Sequence, residues 1–419
     1  MKILYLKSYY YPEYSASSYL GKQTHEALVK AGATIDLFTP VPSRGVDEKT
    51  RNKYKNMKEE KLMDGKMTVH RFSLPKEGKS TILRAFRYFY QCVKLLAIGI
   101  FNKDARNADV MMIASTPPIL GATAALIKKV RKIPLVFNLQ DIFPDSLVST
   151  GITHKGSLLW KIGRKIEDFT YRNSDKIVVI SEDFKKNIMA KGVPEDKIEI
   201  IYNWVEEDKV VDVKREKNVL IKRYNLDPNK FFVTYCGNIG LTQNMDMLLE
   251  VAREFEKEQP DIQFVLIGEG ADKKHVEQKI KSENITNVKT LPFQSYDEIS
   301  HVFSLGNVGL VISKPGVGAN SVPSKTWSIL SATRPVIANF DENELKSIIE
   351  NNKCGIFTLA GDKDAFKDAI IKLYKNPELC ADMGKNGRNF ILENLTQKIG
   401  TQKNVDVVKR VVEKNKYKK

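Results

Sequence analysis

Residues 3–6 read Ile3-Leu4-Tyr5-Leu6, residues 9–18 are rich in tyrosine, serine and proline, residues 19–30 follow a helical pattern that stops at Gly32, and residues 33–38 are apolar again. A short strand, a turn-rich loop, a helix and a second strand in that order make the βαβ unit of a parallel sheet. The pattern recurs with strands expected at 110–114, 135–138 and 176–180. The N-terminal half is therefore read as a Rossmann-like domain. A charged stretch at 206–217 precedes a new strand at 231–235. Short apolar runs at 265–267, 308–312 and 336–338 suit strands buried on both faces of a parallel sheet. The expected architecture is α/β with two Rossmann-like, doubly wound domains. One spans 1–208 and is completed by a C-terminal helix at 394–419; the other spans 209–393.

Length agrees with two domains, because the chain has 419 residues and single cores stop growing near about 250 to 300. No run approaches the roughly 20 apolar residues that span a bilayer. The start, Met1-Lys2-Ile3-Leu4-Tyr5-Leu6, is too short for a secretory signal. A cytoplasmic location is expected. The four cysteines, Cys92, Cys236, Cys354 and Cys380, are scattered, and neither they nor the histidines show metal-ligand spacing. No metal and no cofactor are expected. With 67 Lys and Arg against 51 Asp and Glu, the net charge is +16, which favours an anionic partner such as nucleic acid, an anionic membrane face or a phosphorylated ligand, and charge alone does not choose among them.

Two facing Rossmann-like domains would bring the carboxyl ends of both sheets to a central cleft, where ligands of such sheets bind. The loop after the first strand lacks the GxGxxG of a dinucleotide site: Tyr11-Pro12-Glu13-Tyr14-Ser15-Ala16-Ser17-Ser18 stands there instead. In the second domain, the turn 235–244 carries Gly237, Asn238, Gly240 and Gln243, and glycines allow a backbone to approach a diphosphate. Asn320-Ser321-Val322-Pro323-Ser324-Lys325 precedes an apolar helix at 326–332 and offers hydroxyls and a cation to the same anion. Ile267-Gly268-Glu269-Gly270 and Leu291-Pro292-Phe293-Gln294 follow two further strands. If the two anion loops hold the phosphates, these segments stand where the nucleoside would sit, with Phe293 against the base and the backbone near Gln294 at its edge. Alone, 235–244 is only a flexible turn and 291–294 more often a strand terminus, while 320–325 reads equally well as an ordinary capped helix.

Their joint order is specific. IGEG, LPFQ, VPSKTW, ATRPVIA and Met383-Gly384-Lys385-Asn386-Gly387-Arg388 resemble the family 4 glycosyltransferases. In the first half, Tyr11-Pro12-Glu13, Ser115-Thr116-Pro117-Pro118, Gln140-Asp141-Ile142-Phe143-Pro144-Asp145-Ser146, 179–181 and 201–205 resemble the bacterial polysaccharide subgroup that includes the N-acetyl-fucosamine transferases. The resemblance implies the GT-B fold and a retaining, metal-independent transfer of a hexose or N-acetylhexosamine. The donor is a nucleotide diphosphate sugar, UDP being the expected nucleotide, and the acceptor a lipid-linked or polysaccharide glycan of capsule, O-antigen or exopolysaccharide. It also implies that the second domain holds the donor, through Gly237, Asn238, Gly240, Gln243, Gly268, Glu269, Phe293, Gln294, Asn320, Ser321, Ser324, Lys325 and Ser328. The first holds the acceptor, through Tyr11, Glu13, Ser17 and Asp141. Asp141 and Lys325 are the expected catalytic groups. Several positions depart from the wider family. Asn238 and Gln243 replace an arginine and a lysine, Asn320 and Ser328 replace paired glutamates, and Thr333 replaces a glycine.

Residues 81–101 carry Leu83, Phe86, Tyr90, Val93 and Ala97 near one helical face, with Arg84, Arg87 and Lys94 beside them. The stripe is read as core packing, with its basic rim drawn to anionic lipid, so that the enzyme is peripheral at the inner face of the cytoplasmic membrane. Two other readings keep the same fold. A nucleotide-sugar 2-epimerase would need acid and base groups that the scattered histidines, His25, His70, His154, His275 and His301, do not supply. An inert nucleotide-binding scaffold would explain the lost charges. Nucleic-acid binding ranks last, because basic and acidic residues are interspersed.

Overall fold

The computed structural model describes residues 1–13, 18–75, 81–149, 151–318 and 322–417. The chain divides into two compact units, Met1–Tyr202 with Lys398–Lys419, and Asn203–Gln397.

In the first unit, strands β1 (Lys2–Leu6), β2 (Thr34–Pro40), β3 (Glu59–Leu62), β4 (Met67–Phe72), β5 (Val110–Ala114), β6 (Leu135–Leu139), β7 (Lys176–Val179) and β8 (Ile198–Ile200) form one sheet in the order β3-β4-β2-β1-β5-β6-β7-β8. Every pairing is parallel except β3 with β4. Central strands such as β5, Val-Met-Met-Ile-Ala, are apolar throughout because helices cover both faces. The edge strand β3 is Glu-Glu-Lys-Leu and half exposed, a charged edge that discourages pairing with other chains. The chain winds outward in both directions from β1 and β5, so the switch point lies between their carboxyl ends.

The helices Thr81–Phe101, Ile119–Arg131 and Leu158–Asn173 cover one face of this sheet. Cys92 and Leu95 of the first, Leu120, Ala124 and Ile127 of the second and Tyr171 of the third join strand residues in one apolar cluster. Close approach explains Gly99: a Cβ there would lie 2.4 Å from Ile127 Cδ1. The stripe Leu83, Phe86, Tyr90, Val93 and Ala97 does not enter this core; all five are exposed, and Phe86 is 64% accessible. Core packing was the wrong reading of that stripe. The helix is apolar on two sides, and its inner side is the one with Cys92, Leu95 and Gly99. The final helix, Gln397–Lys416, buries Val405, Val408 and Val412, and its Arg410 pairs with Glu199 at 2.9 Å.

In the second unit, β9 (Phe231–Cys236), β10 (Ile262–Ile267), β11 (Val288–Leu291), β12 (Val308–Ile312), β13 (Val336–Phe340) and β14 (Gly355–Leu359) form a fully parallel sheet, ordered β11-β10-β9-β12-β13-β14. Its switch point lies between β9 and β12. The Met383–Arg388 motif is structural here. Arg388 donates to the Val210 and Ser331 carbonyls at 3.1 and 3.0 Å and to Ser331 Oγ at 2.7 Å, while Gly384 packs against the Thr333 carbonyl.

Candidate active site

The switch point of the second unit gathers most of the residues picked out as donor-binding. The loop after β9 and the loop after β10 are zipped together by their backbones: Gly237 N–H donates to Ile267 O and Ile239 N–H to Glu269 O, both at 2.9 Å. Gly268 has φ +148° and lies so close that a Cβ would sit 1.9 Å from the Gly237 carbonyl oxygen; a Cβ at Gly270 would sit 2.0 Å from that of Ile239. Glycine is required at both places for contact alone. The result is a smooth, backbone-walled floor.

Above it stands one cation. Lys325 begins the helix Lys325–Ser331 that follows β12, and its Nζ lies 3.2 Å from where a Cβ on Gly237 would be. The ammonium donates to Tyr235 Oη at 2.5 Å and is 3.8 Å from the centre of that ring, while Tyr235 Oη donates to Asn238 O at 2.7 Å. Burial lowers the Lys325 pKa to about 8 and raises those of Tyr235 and its neighbour Cys236, the thiol to about 12. Such an ammonium faces a tyrosine and a π-cloud rather than a carboxylate, and an incoming anion would stabilise its charged form.

The other donor positions divide. Asn238 is exposed beside this floor. The Gly240 N–H is occupied by Gln243 Oε1 at 2.9 Å, and Gln243 Nε2 donates to Thr242 Oγ1, so this side chain closes its own turn. Glu269 is held ionised below the usual carboxylate range by Lys273, 2.6 Å away, and also accepts the Phe293 N–H. Phe293 is 72% exposed at the end of β11. The Gln294 side chain is buried and spent on Pro292 O, at 2.6 Å, and on the Tyr224 hydroxyl, so only its backbone is open to a ligand. Ser324 is exposed and Ser328 half-buried on the Lys325 helix. Asn320 and Ser321 lie outside the described residues.

In the first unit, Asp141 follows β6 at the rim of a pocket lined by Ser115, Pro118, Phe137, Leu139, Phe143 and Ile166, among others. Those apolar surroundings raise its pKa, partly offset by Ser146 Oγ, which donates to it at 3.1 Å, and by the Ile142 N–H. Gln140 bonds Asn138 and Ser115. Glu13 is buried and accepts the N–H groups of Ser43 and Arg44 at 2.7 and 2.8 Å, which makes it a tie between loops rather than a group facing a ligand. Tyr11 is half exposed. Ser17 lies outside the described residues. Sequence reasoning passed over Lys7, which follows β1 at the switch point. Its Nζ is 5.2 Å from the Tyr5 ring centre and 5.8 Å from that of Tyr10, and burial lowers its pKa to about 8. A lysine ending an apolar strand at a switch point was the available signal.

Comparison with known proteins matches both units. The family model described as Glycosyl transferases group 1 matches residues 216–390, and that described as Glycosyl transferase 4-like domain matches residues 22–204. The probable glycosyltransferase WbjE of Pseudomonas aeruginosa is 24% identical over 82% of this chain and 85% of its own. The putative colanic acid biosynthesis glycosyl transferase WcaI of Escherichia coli is 27% identical over 49% of this chain and 51% of its own. Among solved structures, HepE of Anabaena, crystallised with UDP, superposes with a TM-score of 0.72 over 98% of this chain and 100% of its own, at 14% identity.

Proposed function

The chain belongs to the group 1 glycosyl transferases with a 4-like N-terminal domain and has the GT-B fold, and from that premise we propose that it moves a hexose or N-acetylhexosamine from UDP onto a lipid-linked or polysaccharide acceptor. The observation that carries the donor side of this reading is Lys325 poised over the glycine floor of Gly237 and Gly268. A diphosphate needs a cation and close backbone, and both stand at the switch point. UDP is supported by its presence in the HepE crystal, and surface polysaccharide by the colanic acid name of the E. coli relative. Capsule, O-antigen or exopolysaccharide made on a lipid carrier would put the enzyme peripherally at the inner face of the cytoplasmic membrane.

The chemistry proposed is retaining and independent of metal. The bond between the sugar C1 and the β-phosphate oxygen breaks, the acceptor oxygen bonds C1 on the same face, and the acceptor proton passes to the departing phosphate. No strong protein base is needed for this. Lys325 offsets the charge that grows on the leaving diphosphate. Asp141 orients the acceptor hydroxyl.

Thermal stabilisation across UDP, GDP, dTDP and ADP tests the donor class, since a ligand at about 100 times its Kd adds about 2.7 kcal/mol. A shift with UDP, followed by transfer from a UDP-sugar with the anomeric configuration kept and no loss in chelator, supports the proposal. Donor consumption without any acceptor would point to the epimerase, and nucleotide binding without turnover to the scaffold.

A further inference from the structure

The exposed aromatic stripe on Thr81–Phe101 has a counterpart. Helix Leu158–Asn173 exposes Leu158, Leu159 and Ile162, Leu158 to 74%. In a right-handed parallel sheet the helices run back against the strands, so their first turns lie at the carboxyl ends of the strands. Leu83, Phe86 and Phe89 open one helix, and Leu158, Leu159 and Ile162 open the other. Both sets therefore lie at the edge of the sheet that carries Asp141. Between them runs Ile119–Arg131, packed on the first helix through Gly99 and Ile127 and on the second through Gly121, where a Cβ would lie 2.6 Å from Thr170 Oγ1. The three helices form one continuous layer.

The charge of that layer is mostly positive: its acidic groups, Glu167 and Asp168 in the third helix, are paired with Arg164. The 21 residues Thr81–Phe101 and the 13 residues Ile119–Arg131 contain no Asp or Glu, although 51 occur among the 419 residues of the chain. Residues 151–165 contain none either, while Arg84, Lys155, Lys161 and Lys165 are exposed among the apolar groups. Contiguous exposed apolar side chains mark an interaction surface. A second copy of the chain is a poor occupant, because a two-fold contact would set this positive surface against itself. Among the described residues no helix is long and apolar enough to cross a membrane.

We propose that the layer formed by these helices is a docking face for an anionic lipid bilayer, into which Leu83, Phe86 and Phe89 on one side and Leu158, Leu159 and Ile162 on the other insert together. Apolar side chains enter the acyl boundary and the lysines and arginines meet the head groups. Docking by this edge would hold the Asp141 pocket against the lipid surface. That purpose rests on the lipid-linked acceptor of the proposed function, but docking itself needs no sugar.

The test is sedimentation of the full chain with phosphatidylglycerol and with phosphatidylcholine vesicles, using F86S/F89S, L159S/I162S and, as control, L392S in the second unit. The wild type and L392S should partition onto phosphatidylglycerol in a salt-sensitive way. Each double variant should lose about tenfold or more in partitioning, with the UDP-induced thermal shift unchanged. Equal binding to both lipids, or an L159S/I162S variant that binds like wild type, would overturn the two-sided face. So would a lipid-free dimer that the double variants dissolve. Vesicle binding without a UDP shift would sink the proposed function and leave this inference standing.

Discussion

Lys325 Nζ lies 2.5 Å from Tyr235 Oη and 3.8 Å from the centre of the same ring, so one aromatic residue both hydrogen-bonds and shields the cation beside Gly237. Replacing Lys325 with Met should lower kcat/KM on the order of 10²-fold, as loss of a charge-stabilising donor does. Tyr235→Phe keeps the ring and loses the hydroxyl, and should cost about tenfold or less. UDP titration calorimetry alongside initial rates separates the two.

The same residue sets a pH dependence with two signs. Burial brings Lys325 down to about 8, so above that value the folded protein has released a proton that the unfolded chain still holds. Stability contributed by this residue therefore rises with pH from about 8 to about 10.4, and the cost is constant below about 8. Urea midpoints should show the wild type gaining on Lys325→Met across that window. Donor affinity runs the other way: the ammonium is what the diphosphate meets, and apparent Kd should rise roughly tenfold per pH unit above about 8.

Gly268 tolerates no side chain. Its φ of +148° and the 1.9 Å approach to the Gly237 carbonyl mean that Gly268→Ala must push the β9 and β10 loops apart. The expected loss is about 2 to 3 kcal/mol of stability, together with the UDP-induced thermal shift.

Thr333 has φ +60°, a left-handed conformation that is strained for a β-branched residue. Thr333→Gly should relieve about 1 to 2 kcal/mol of that strain and give back a part through a freer unfolded chain. The net expectation is a melting point a few degrees higher, read by calorimetry, with no change in turnover.

Asp141 stands in the other unit from Lys325. Asp141→Asn should reduce kcat on the order of 10²-fold while UDP affinity stays at the wild-type value, which calorimetry and rate assays check independently.

Where a segment has one dominant physical demand, the sequence announces it. The strand 231–236 is apolar because a parallel sheet buries both its faces, and the turns after it hold glycine because two backbones touch there. Residues 81–101 carry apolar groups on two sides, and periodicity cannot say which side the sheet covers. Gln243 looked like a group for a ligand, yet it closes its own turn on Gly240. Glu13 looked like an acceptor contact, but its carboxylate is tied to Ser43 and Arg44, some thirty positions away. The place of Lys7 at the end of an apolar strand is legible in the sequence, but its desolvation is not, because Tyr5 and Tyr10 come around it only in the fold. Each of these depends on partners that only the tertiary fold brings within reach.

The helix Gln397–Lys416 belongs to the unit that begins at Met1. On the ribosome, Met1–Tyr202 must wait for Lys398–Lys419, which are made only after the whole of the second unit, Asn203–Gln397. Until Val405, Val408 and Val412 arrive, the apolar surface they cover is open to chaperones and to other chains. Newly made protein is therefore most exposed to aggregation through its older half.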